Sequence, residues 1–307
     1  MTGEQVQLLR WFLRHAGNQR RLGNVPRAMR IALGGLEFAR RNIDPDDPEQ
    51  APLLFEALEF AAETHFERGE APEAAILFRE ALELAERPKI VLPRLAVAQI
   101  HQQYAAALDQ SGNAEDAAEN YEKVLAVLRG IDPFPAEAIA HVANNLGMIR
   151  RDENRFDEAR ALYDEALEIF HRLGSAHALD LAAVYNNLGG LYWAWRQPET
   201  ARDHHLAALK LRRERLPDSH PDIGQSACNL AAVYHDLGNF EKASRNYQRA
   251  LKILHRDLHA HLETYQIVAS NFATLLEEHS LPAKAAKLRE RTEKHLTKAR
   301  KLGNRRW

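Results

Sequence analysis

Tyr185-Asn186-Asn187-Leu188-Gly189-Gly190-Leu191-Tyr192 is the stretch on which the reading of this 307-residue chain turns. Its features recur. The amide at Asn187 has counterparts at Gln103, Asn145, Asn229 and Asn271, each 42 residues from the next. The following residue is large (Tyr104, Leu146, Leu188, Leu230, Phe272) and the one after it small (Ala105, Gly147, Gly189, Ala231, Ala273). Thirteen residues beyond each large position stands an alanine: Ala117, Ala159, Ala201, Ala243 and Ala285. A register held over five copies is an internal repeat, and every other position is read against it.

Each copy reads as two helices. In the fourth, apolar residues around Leu146 and Gly147 recur at helical spacing, and the polar stretch Asp152–Arg155 breaks the pattern. Phe156, Ala159, Leu162, Tyr163, Ala166, Leu167 and Phe170 then follow three and four apart, the signature of a second helix. Small residues at Gly147, Ala159 and Ala166 let the two helices approach closely while large neighbours fill the gaps.

The pattern resembles the tetratricopeptide repeat. Tyr185-x-x-Leu188-Gly189-x-x-Tyr192 followed by Ala201, with His205 and Ala208 further on, matches that family's aromatic, Leu-Gly, Tyr and Ala positions. The long period, the Asn186-Asn187-Leu188-Gly189 run and the connector Leu216-Pro217-Asp218-Ser219-His220-Pro221-Asp222-Ile223 are similar to the kinesin light chain type. The resemblance implies an all-α, right-handed superhelical solenoid of about seven helix-turn-helix repeats. It covers nearly the whole chain.

Working back from the clear copies places repeats near residues 9–42, 55–87, 98–129, 140–172, 182–214, 224–256 and 266–298, within one solenoid domain spanning 1–307. Residues 299–307 read as a basic tail that frays. Proline-rich breaks, among them Asp44–Pro48 and Gly130–Pro135, stop helices rather than separate domains. Pro282 opens the last helix, where Arg289 and Thr292 replace an aromatic residue and an alanine, as a solvated end face requires. About 45% apolar and 27% charged residues is ordinary globular composition. A single cysteine, Cys228, forbids an internal disulfide framework and points to a reducing, cytoplasmic setting. No apolar run approaches the roughly 20 residues that span a membrane. The N-terminus, where Arg10 and Arg14 interrupt Leu8, Leu9, Trp11, Phe12 and Leu13, reads as an amphipathic helix and not a signal peptide.

Charge is uneven. Residues 1–42 carry a net +6 and residues 284–307 a net +8, against −2 for the chain, so the middle is strongly acidic. Basic ends raise the alternative of a regulator associated with nucleic acid, although neither end interleaves aromatic residues as a base-stacking surface does.

The resemblance places a concave groove along one stripe of each first helix, at positions four, three and four apart. That stripe holds Gln99 and Gln103 in the third copy, and His141, Asn145, Met148 and Asp152 in the fourth. The fifth is stripped to Ala183, Asn187, Gly190 and Ala194, leaving room to approach the backbone. Gln225, Asn229 and Asp236 follow in the sixth, Asn271 and Glu278 in the seventh. The second copy is acidic (Glu56, Glu63, Glu67) and the first basic (Arg10, Arg14, Arg21). An amide both donates and accepts, so a row of them can hold a peptide backbone whatever its side chains. The same amides can equally tie neighbouring helices together, and the two roles coexist. In kinesin light chains the asparagine at this position binds peptide, which favours ligand contact here. Trp193 and Trp195 offer one exposed anchor or core packing. His255, His259 and His261 lack the supporting ligands of a zinc site, and nothing near Cys228 activates it as a nucleophile. The expectation is therefore a non-enzymatic scaffold without metal or cofactor, binding a protein or peptide partner.

Overall fold

The computed structural model describes residues 1–132 and 135–303, with side chains to residue 300. Pro133, Phe134 and the tail residues Asn304–Trp307 lie outside the described residues. Fourteen α-helices and no strand occur among the described residues. They are α1 (Gly3–Arg21), α2 (Val25–Asn42), α3 (Ala51–Glu67), α4 (Ala71–Ala85), α5 (Arg94–Gln110), α6 (Ala114–Arg129) and α7 (Ala136–Asp152). Then come α8 (Phe156–Leu173), α9 (Ala178–Ala194), α10 (Pro198–Arg215), α11 (Pro221–Asp236), α12 (Phe240–Leu254), α13 (Leu262–Glu278) and α14 (Pro282–Gly303). Contacts gather them into two compact units, Met1–Ile149 and Arg150–Trp307, a division that falls inside α7.

Within the first unit α1 packs on α2, α3 on α4 and α5 on α6, and each pair packs on the next. In the second unit α9 and α10, α11 and α12, and α13 and α14 pair in the same way. The repeat alanines explain why. Ala28, Ala74 and Ala117 in the first unit, and Ala159, Ala201, Ala243 and Ala285 in the second, are all completely buried. A bare methyl at the crossing lets the helix axes close up, and an added methylene there would overpack by about 1–3 kcal/mol. Leu58, Phe78 and Ile100 fill the first core; Leu230, Tyr247 and Phe272 fill the second.

The turn inside every pair has one backbone solution. Gly23, Gly69, Gly112, Asn154, Arg196, Gly238 and Ser280 all take φ between 57° and 82°. In each, the next amide reaches back over five residues, as in Asn113 N–H to Leu108 C=O at 2.9 Å and Gln197 N–H to Tyr192 C=O at 2.8 Å. This is the left-handed cap that satisfies helix-end carbonyls. Helix starts are set by Pro26, Pro52, Pro72, Pro198 and Pro221 in first turns, where the missing N–H costs nothing. Thr2 and Gln5 form a reciprocal capping box on α1.

Two details differ from the sequence reading. The helices begin four to six residues before the repeat starts read from the register at α1, α3, α5, α7, α9 and α13. More consequentially, α14 continues through Gly303, so residues 299–303 are helical rather than tail: Thr292, Leu296 and Ala299, four and three apart, are buried on one face. Thr292 is thus an inward residue, not part of a solvated end face. No helix among the described residues is long and apolar enough to cross a membrane.

Candidate functional site

In the first unit the groove stripe is an ion-pair network. Glu56, Glu59, Glu63 and Glu67 lie along α3 within three turns. Arg20 of α1 reaches Glu63 at 2.8 Å and Glu67 at 3.2 Å, with its guanidinium 5.3 Å from the Phe60 ring centre. Gln103 of α5 donates to Glu63 at 2.8 Å, while its own buried carbonyl oxygen has no partner. Glu59 is left among these carboxylates. Burial, reinforced by Glu63 and Glu56, pushes its carboxyl up to about 7. Gln99 is exposed, and His141, Asn145 and Met148 are half-buried on α7. Asn145 donates to the buried Tyr121 hydroxyl at 3.4 Å, tying α7 to α6.

The second unit is built differently. Asp152, Gly190 and Asn229, three of the residues singled out by spacing, line one pocket of about 350 Å³ with Arg151, Asn186 and Trp193. Asn229 donates to Asn186 at 2.8 Å and accepts from Gln225 at 2.9 Å. One amide N–H and one lone pair of Asn229 remain for a ligand. Asn186, not Asn187, faces this pocket. The indole of Trp193 is 45% exposed, and its N–H donates to Asp236. His205 closes the pocket from α10; burial, helped by the His204 and Arg212 charges, holds it down at about 4, so the ring is neutral. Its Nδ1 is buried without a partner. Further along, His235 pairs with Glu278 at 2.6 Å, and Asn271 is exposed.

A simple rule links these contacts. Arg20 to Glu63, Asn186 to Asn229, Trp193 to Asp236 and His235 to Glu278 are all separated by 43 residues. Each joins first helices of consecutive repeats within its unit.

The tetratricopeptide repeat family model matches residues 138–214 and 196–256. Two kinesin light chain-related proteins of Arabidopsis thaliana are similar over 76% of this chain. KINESIN LIGHT CHAIN-RELATED 2 is 26% identical over 235 residues and KINESIN LIGHT CHAIN-RELATED 1 is 28% identical over 234. The chain spans about a third of those relatives, 34% and 37% of their lengths. The crystal structure of BtubC (BKLC) from P. vanneervenii is 32% identical, with a TM-score of 0.60, over 75% of this chain and 90% of that one. This chain is a kinesin light chain-like tetratricopeptide-repeat protein.

In this repeat protein the two adjacent glycines of the opening stretch have separate tasks. A Cβ on Gly189 would lie 2.5–2.7 Å from the His205 ring, so Gly189 makes room for the second helix of its own pair. A Cβ on Gly190 would meet only the flexible end of Arg151, at 3.2 Å, so Gly190 is bare because the pocket is there. Of the two tryptophans, Trp193 is the exposed one; Trp195 stacks on Tyr192 and packs at a tilt against Phe156. Burial pushes the Cys228 thiol up to about 11, which keeps it protonated. His255 packs against His295, with ring centres 4.3 Å apart, and among the described residues no three His, Cys, Asp or Glu converge as metal ligands. Sequence spacing missed Arg151, Asn186 and His205. All three sit one step off the groove stripe or on the partner helix, and the empty positions Gly190 and Ala194 were the signal that neighbours would show through.

Proposed function

We propose that this chain is a non-enzymatic scaffold that holds a segment of a partner protein against its first helices, at the pocket around Gly190. The pocket carries the reading. It combines unspent amide valences on Asn186 and Asn229, a half-exposed indole, and the Arg151–Asp152 charges beside an unencumbered stretch of helix. Amides grip a peptide backbone, and a large amphipathic ring supplies the anchoring contact that dominates interface energetics. A protonated thiol and a neutral imidazole suit recognition and not bond-making. The inter-repeat contacts hold these groups rigid, so little ordering cost falls on binding. In the first unit the corresponding stripe is occupied by its own ion pairs, with Arg20, Glu63 and Glu67 tied to one another.

Gly190→Leu tests this cleanly. It fills the pocket, while replacing a helical glycine gains helix propensity, so the fold should be unchanged or firmer. Peptides selected from a random library on the wild-type chain should bind Gly190→Leu and Trp193→Ala at least tenfold more weakly by calorimetry. Selected peptides that bind all three alike would remove the pocket from consideration.

A further inference from the structure

Away from that pocket, the second helices α12 and α14 enclose a groove with no residue in common with it. Two adjoining cavities of about 430 and 330 Å³ share Gln248, Phe272, Leu288 and Arg291. The floor is apolar: Leu251, Phe272 and Leu276 belong to the core, and Leu281 and Leu288 are half-buried above it. The rim is basic. Lys252 stands on α12, and Lys284, Lys287 and Arg291 on α14, three and four residues apart and therefore on one face. No carboxylate lines either cavity.

What sets these four cations apart is how charge is treated elsewhere on the same helix. Arg289 pairs with Glu277 and Lys294 with Glu290, both acids lying off the groove. Among the described residues none of Lys252, Lys284, Lys287 and Arg291 forms an ion pair; Glu290 feels the Lys287 charge, but its bond goes to Lys294. Four like charges around an apolar trough repel one another, and an acidic ligand with an apolar face relieves both penalties together.

We infer that this groove docks an acidic amphipathic helix from a partner protein. Its leucine-type face covers Leu251, Leu276 and Leu288, and its carboxylates, three and four residues apart, face Lys284, Lys287 and Arg291. The combined volume is that of a side-chain-accepting cleft, not a flat charged surface. Nucleic acid fits less well. Of the rings lining the groove, Tyr265 and Phe272 are buried in the core, Phe240 is stacked on His279, and the exposed His255 ring packs against Tyr265 and His295, so none stands free to take a base.

The test uses the whole chain and a labelled synthetic helix of about 18 residues, five turns long, with leucine on one face and glutamate on the flanks. Controls are a scrambled peptide of the same composition and a single-stranded DNA oligonucleotide. The patterned peptide should bind, bind roughly tenfold more weakly to Lys287→Glu/Arg291→Glu, and weaken with salt. Gly190→Leu should bind it as wild type does, which separates this site from the pocket proposed above. The double variant alters only exposed side chains, and an unchanged thermal melt verifies its fold. The inference falls if the patterned peptide does not bind at low salt, or if the scrambled peptide binds equally well. It falls equally if the oligonucleotide binds more tightly and loses binding on charge reversal. Self-association of the wild-type chain that the double variant abolishes would assign the groove to a second copy instead.

Discussion

The two units use one backbone plan with different chemistry. All three turns of Met1–Ile149 put glycine at the left-handed position, whereas Asn154, Arg196 and Ser280 occupy three of the four in Arg150–Trp307. The first unit crowds glutamates on its α3 stripe and ties them to Arg20; the second strips α9 to alanine and glycine and opens a pocket. Yet the crossing alanines are buried alike in both. The lesson is one of independence. Buried methyls at helix crossings specify the fold, while turn residues and groove stripe are free to vary, at modest energetic cost, toward different purposes.

The sharpest way to break that comparison lies at the small residue of the first helix. The third copy carries Ala105 there and accommodates its Cβ; in the fifth, His205 fills the equivalent space over Gly189. Gly189→Ala should lose about 1–3 kcal/mol in urea unfolding, whereas Gly190→Ala should be neutral or gain up to about 1 kcal/mol. Equal losses at the two glycines would mean that groove and core are not separable on α9.

The acidity of α3 gives a smaller effect with a defined pH signature. In the folded chain the Glu59 carboxyl is raised from 4.5 to about 7, so folding favours its protonated form. That contribution is complete below the unfolded value and is lost as pH rises through about 7. Glu59→Gln should therefore be more stable than wild type at about pH 8. We expect roughly 1 kcal/mol, discounted because the group is only half-buried, or about 2–4 °C in melting temperature. The gap should close toward about pH 5. A gap that stays constant with pH would show that the carboxylates relieve one another by moving apart.

The turns give the smallest effect. A left-handed non-glycine residue costs about 1–2 kcal/mol, and glycine's looser unfolded chain returns about 0.5–1 of it. Arg196→Gly should gain about 0.5 kcal/mol and Gly69→Ala should lose about 1, both read from thermal melts. If Arg196→Gly destabilises, the arginine side chain holds its turn by contacts that the first unit lacks.

The fold was legible because its determinants are periodic and local. Alanine at a helix crossing has few substitutes, so Ala117 to Ala285 announce the register in plain sequence. Of the stripe positions, Asp152, Gly190 and Asn229 line one pocket. Their partners were not legible, because a contact such as Asn186 to Asn229 depends on which of two neighbouring amides each helix turns toward the other. Helical period leaves that ambiguity of one residue. The inward Thr292 was misread for a related reason: a hydroxyl in place of an alanine suggests water, but the position is set by Leu296 and Ala299 on the same face. The basic end was legible only as net charge. Its division into paired and unpaired cations needs the facing helix.

The contacts spaced 43 residues apart have a bearing on how such a chain can be edited. The partner lies one residue beyond the equivalent position of the next copy, so Trp193 to Asp236 and His235 to Glu278 are the same contact one period apart. Excising residues 195–236, one period of 42, would join Ala194 to Leu237 and place Trp193 where His235 now stands, facing Glu278. The indole would lose Asp236 and find another carboxylate. Unequal recombination between such copies changes the length of the chain while leaving each junction chemically complete, so the number of repeats can be adjusted without first inventing a new interface.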